Sequence, residues 1–122
     1  MSNSLVVYSY SRCSTCRKAL AWLQEHHIAY ELLDIIETPP SREMLSGASE
    51  RLGNRKLLFN TSGQSYRALG SAVVQAMSDT EAFDALADDG KLIKRPLLIT
   101  EKGNVLVGFK PEAWAEVLLD KD

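Results

Sequence analysis

Cysteine is scarce in this chain: 122 residues contain two, Cys13 and Cys16. A structural disulfide is not expected, because no secretory signal is evident and a cytosolic pair stays reduced. Zinc takes about four ligands, and one cysteine pair with His26 and His27 makes a poor set, so no metal is expected. Long apolar runs are also missing. None approaches the ~20 residues of a membrane helix, so no membrane segment is expected. Met1-Ser2-Asn3-Ser4 has no basic stretch followed by an apolar core, which speaks against export and for the cytoplasm. Neither sign of charge dominates. Fourteen Lys and Arg against sixteen Asp and Glu give a net charge of −2, so no direct nucleic-acid binding is expected. Repeats, low-complexity tracts and long Pro/Gly linkers are absent, so residues 1–122 are expected to form a single domain. Its 45% apolar and 25% charged composition suits a soluble globular protein.

The two cysteines occupy one short run, Arg12-Cys13-Ser14-Thr15-Cys16-Arg17. An apolar segment, Leu5-Val6-Val7-Tyr8, precedes it, and an amphipathic stretch to about His27 follows. Strand, tight loop and helix start are the context that makes Cys-x-x-Cys a redox motif. At a helix N-terminus a sulfur faces unpaired N–H groups and the positive end of the dipole, which favour thiolate over thiol. Arg12, Arg17 and Lys18 add cationic charge. Thiolate is the nucleophilic form. Cys16, Ala19, Leu20, Leu23 and His27 follow 3/4 spacing, so Cys16 is expected to face the core. Cys13 precedes the helix and is expected to be reachable from solvent. The pair then reads as an attacking Cys13 and a resolving Cys16; two incidental buried cysteines are the plainer alternative.

Along the chain, Leu5–Ser9 and 29–36 read as strands flanking a helix capped by Ser14 or Thr15, a parallel pair with a right-handed crossover. Pro39 and Pro40 stop the second strand, and Ser41 caps a helix over 42–52 that ends at Gly53. Short helical pieces follow around 56–59, 66–69 and 73–77, then a helix from Asp79 to about Ala87 capped by Ser78. Leu97–Thr100 and Val105–Gly108 form a hairpin. Pro111 opens a last helix with Trp114, Val117 and Leu118 on one face, while Glu112, Glu116 and Asp120 form a solvated face. The order β-α-β, helical block, β-β-α is a thioredoxin-like α/β arrangement. Its expected core is a four-stranded mixed sheet, with an all-helical insertion over about 41–90.

Taken together, Cys13-Ser14-Thr15-Cys16-Arg17-Lys18-Ala19 with Trp22-Leu23, Pro39-Pro40-Ser41-Arg42-Glu43, Arg95-Pro96 and Val107-Gly108-Phe109 resemble the ArsC/Spx family over nearly the whole chain. The family comprises thioredoxin-like arsenate reductases and redox regulators of the Spx and MgsR type. The resemblance implies Cys13 as catalytic cysteine, with Cys16 and Arg95 beside it. It also implies an anion cradle over Ser11, Arg12, Ser14 and Thr15, and a cis bond between Arg95 and Pro96 packed near the cysteines. Glutathione, alone or with glutaredoxin, would be the partner and co-substrate, with no bound cofactor. A Spx-like protein would instead contact the RNA polymerase alpha subunit and use the Cys13–Cys16 pair as its switch. The reductases place arginines around the oxyanion. This chain has none in Phe59-Asn60-Thr61-Ser62 and offers Lys110 after the fourth strand, while Arg67 and Lys110 stand at non-matching positions. Cys16 itself is a Spx-like feature. Arsenate as substrate therefore carries over less well than fold and thiol chemistry.

Two flanking tyrosines divide by role: Tyr8 is expected in the core, Tyr10 at the edge of the site. Trp22 and Trp114 are expected to pack, and His26-His27 to form a solvated helix end.

Overall fold

The near-continuous apolar run Leu5–Ser9 forms strand β1, which is buried at four of its five positions. This is a computed structural model, and residues 5–119 are described; Asp120 lies outside them. Helix α1 spans Ser14–Glu25, followed by strand β2, Glu31–Asp34. Strands β3, Leu97–Thr100, and β4, Val105–Val107, make the expected hairpin, and the sheet runs β2-β1-β3-β4. It is a mixed sheet of the thioredoxin-like kind. β1 and β3 are antiparallel, with Leu5 opposite Thr100 and Tyr8 opposite Leu97. Helix α6, Pro111–Leu118, closes the chain's described part.

The chain divides into two compact units, one ending at Leu33 and resuming at Arg95, the other Asp34–Lys94. The first holds the sheet, α1 and α6. Leu5, Val7, Ala19, Leu23, Leu98 and Trp114 form its buried cluster. Trp114 meets Phe109 and Trp22 edge-on, at 5.0 and 6.1 Å between ring centroids, and its indole N–H donates to the Gly108 carbonyl at 3.2 Å. Burying an indole with its polar tip satisfied is what makes a tryptophan good core material. Val117, expected on that face, is exposed, as are Glu112 and Glu116.

The second unit is helical: α2 Arg42–Leu52, α3 Gln64–Leu69, α4 Ser71–Ala76 and α5 Asp79–Asp88, with 3-10 turns at Arg55–Leu58 and Gly90–Leu92. It is wider than the expected 41–90 at both ends, and β2 stops before the expected Ile36. The Asp34 carboxylate accepts from the N–H groups of Ile36 and Glu37 at 2.8 and 3.2 Å and turns the chain. The caps follow the expected chemistry. Ser41 accepts from the Met44 N–H at 3.1 Å, Gly53 ends α2 at φ 84°, and Ser78 with Glu81 forms a reciprocal capping box.

Candidate active site at the start of helix α1

Cys13, not Ser14 or Thr15, is the N-cap of α1. Its backbone is extended, and its Sγ accepts the Cys16 N–H at 3.2 Å. A sulfur thus occupies the place a hydroxyl usually takes, so the cap and the candidate nucleophile are one atom. The loop before it is tied at two points. The Cys13 N–H donates to the Tyr10 carbonyl at 3.0 Å, and the Arg17 guanidinium donates back to the Ser11 carbonyl at 2.7 Å. Arg17 is on α1, so the first helical turn holds its own entry loop.

The register separates the cysteines as expected. Cys13 is partly exposed, whereas Cys16 is fully buried on the face that carries Ala19 and Leu23. Burial, then the hydrogen bond with Cys13, push the Cys16 thiol up to about 11; a backbone hydrogen bond from Tyr10 and the Ser9 side chain act the other way. Ser9, at the end of β1, is itself buried. His27 leaves the buried face. It takes φ 56° beyond the helix end, and the Ile28 N–H reaches the Leu23 carbonyl at 3.0 Å in a Schellman closure. His26 stacks on Trp22 with centroids 4.3 Å apart.

Ser11, Arg12, Ser14 and Thr15 are all exposed around this loop. Arg95 and Pro96 come from the other end of the unit's sequence. The bond between Arg95 and Pro96 is cis, Pro96 is buried, and its carbonyl accepts the Gly108 N–H at 3.0 Å. The Arg95 guanidinium lies 5.0 Å from the centroid of the Tyr10 ring. All eight expected site residues therefore belong to the first unit. Lys110 is the N-cap of α6 in the same unit. Arg67 is in the second, where it donates to the Ser62 carbonyl at 2.7 Å. That unit also has a cleft lined by Asn54, Arg55, Phe59, Tyr66 and Val74, to which none of the expected site residues contributes. Among the described residues no cluster of three or more His, Cys, Asp or Glu could hold a metal. No helix among them is long and apolar enough to cross a membrane.

The ArsC family model matches residues 8–117. The chain belongs to the ArsC family. Its relatives carry both kinds of name. The YusI protein of Bacillus subtilis is 45% identical over 93% of this chain and 97% of its own length. The global transcriptional regulator Spx of Lactiplantibacillus plantarum is 27% identical over 88% of this chain and 81% of its own. The crystal structure of a possible arsenate reductase from Streptococcus mutans superposes with a TM-score of 0.81 at 44% identity, covering 87% of this chain and 91% of that one. For this ArsC-family chain, the cysteine loop, Arg95 and Pro96 are the residues whose geometry calls for a chemical explanation.

Proposed function

We propose that the protein is a cytoplasmic thiol oxidoreductase with Cys13 as nucleophile and Cys16 as resolving thiol. One observation carries this reading. The partly exposed Cys13 sulfur sits at the N-terminus of α1 on the Cys16 N–H, with a buried second thiol one helical turn away. Backbone N–H groups and the helix dipole stabilise negative charge on that sulfur. Arg95 supplies a guanidinium, and Ser11, Arg12, Ser14, Thr15 and Pro96 line the place where an oxyanion or oxidised thiol docks.

With a disulfide substrate, the Cys13 thiolate attacks one sulfur and expels the other as a thiolate that takes up a proton. Cys16, losing its proton, then attacks Cys13 Sγ and releases the second thiol. Two electrons pass to the substrate and a Cys13–Cys16 disulfide remains. With arsenate, Cys13 bonds to arsenic and expels hydroxide. Attack on Cys13 Sγ by Cys16 or glutathione leaves the S–As electron pair on arsenic, giving arsenite. Glutathione, directly or through glutaredoxin, returns the disulfide to two thiols.

The kinship with Spx supports a second reading: a redox-sensing regulator that binds the RNA polymerase alpha subunit, switched by the same cysteine pair.

The deciding experiment assays arsenate reduction with glutathione and glutaredoxin for wild type, Cys13→Ser and Cys16→Ser. Activity abolished by Cys13→Ser supports the reductase. Full activity in Cys13→Ser refutes the assignment of Cys13. No arsenate turnover in any form, with a reversible Cys13–Cys16 disulfide by mass spectrometry and redox-dependent retention on the polymerase alpha subunit, supports the regulator.

A further inference from the structure

The antiparallel register of β1 and β3 has a consequence beyond the strands' ends. Tyr8 stands opposite Leu97. Tyr10 and Arg95 each lie two residues past that last ladder pair, Tyr10 at the start of the cysteine loop. There the guanidinium lies over the phenol ring at 5.0 Å. The same residue accepts the Cys13 N–H at 3.0 Å through its carbonyl. Tyr10 therefore touches both partners of the proposed chemistry, the nucleophile's backbone on one side and the cation on the other.

We infer that Tyr10 is a positioning residue: its ring fixes the Arg95 guanidinium at the Cys13 loop, so that the site favours anionic reactants. The inference rests on the redox reading above, in which Arg95 serves Cys13. An arginine side chain has many rotamers, and an aromatic face selects those that stack on it. A cation–π contact at a partly exposed site is worth about 0.5–1 kcal/mol, which changes the ratio of stacked to unstacked arrangements about two- to fivefold. Phenylalanine keeps the aromatic face; leucine keeps comparable bulk without it.

The test compares alkylation of Cys13 by iodoacetate, an anion, with alkylation by neutral iodoacetamide. Both reagents consume thiolate, so the rate ratio cancels thiolate fraction and accessibility and reports the cationic field at the sulfur. Arg12 and Arg17 contribute equally in every variant. Tyr10→Phe is expected to keep the wild-type ratio, and Tyr10→Leu to lower it by no more than about fivefold. Arg95→Ala is expected to lower it at least as far, with no further fall when Tyr10→Leu is added. Circular dichroism and the iodoacetamide rate establish that each variant is folded. A wild-type ratio in Tyr10→Leu, with Arg95→Ala lowered, overturns the role of Tyr10 alone. A fall in Tyr10→Leu that persists undiminished in the Arg95→Ala background overturns it as well. An unchanged ratio in Arg95→Ala overturns the assignment of Arg95 in the redox site, and the inference with it.

Discussion

Removing the Cys16 thiol should change how stability depends on alkaline pH. Burial raises this thiol from an ordinary 9.0 to about 11. The native protein keeps the proton over that interval while the unfolded chain gives it up. The stability contributed by the neutral thiol is therefore complete below pH 9 and lost as pH rises towards and through 11. The full difference corresponds to about 3 kcal/mol, of which about 2 kcal/mol is lost by pH 11. Urea denaturation of wild type and Cys16→Ala, both kept reduced, gives the comparison at pH 8, 9, 10 and 11. Tyr8, raised by burial and by Glu31, is common to both proteins. The gap between the two is expected to narrow by about 2 kcal/mol from pH 8 to pH 11. The same shift cuts the thiolate fraction at pH 8 from about a tenth to about a thousandth, so native alkylation should mark Cys13 and spare Cys16. A constant gap across the series, or equal labelling of the two cysteines in the folded protein, refutes the reasoning.

Packing and polar contacts set the remaining outcomes. Trp114→Ala removes a buried indole and its edge-on contacts and should cost about 3–5 kcal/mol in urea denaturation; Trp114→Phe should cost less. A Cβ on Gly90 would stand 1.9 Å from the Ile35 carbonyl oxygen, so Gly90→Ala should lower the melting temperature sharply, whereas Gly47→Ala, with open space in α2, should stabilise by about 0.5–1 kcal/mol. The Arg42–Asp84 pair is exposed on both sides, so Arg42→Ala should cost less than about 1 kcal/mol. Arg55→Ala should cost more in the same assay, since it strips Asp79 and the carbonyls of Met77 and Val74 of one shared donor.

What could be read from residues alone was governed by short-range rules. Leu5–Ser9 and Leu97–Thr100 were legible because apolar runs of strand length end at turn chemistry, and α2 because Ser41 and Gly53 bracket it. The burial of Cys16 followed from helical spacing. The misses have physical causes. Cys13 as cap was invisible because thiols are not preferred capping groups. The early end of β2 depended on the Asp34 side chain turning back on its own backbone. His27 broke the helical spacing because a non-glycine residue accepted a left-handed conformation. The stacking of Arg95 on Tyr10 joins residues 85 positions apart in sequence. Both lie just beyond the paired ends of β1 and β3, and no local pattern marks the contact.

The close approach of Gly90 to the Ile35 carbonyl also closes the helical unit at its root. The two places where the chain enters and leaves the helical unit lie side by side within that unit, and the missing side chain lets the backbones touch. A segment clasped at its root is interchangeable. Helices can be lengthened, shortened or replaced beyond the clasp without altering the span between its two ends. The ends of the helical unit are thus held by their own backbones, with the cysteine loop encoded elsewhere in the chain.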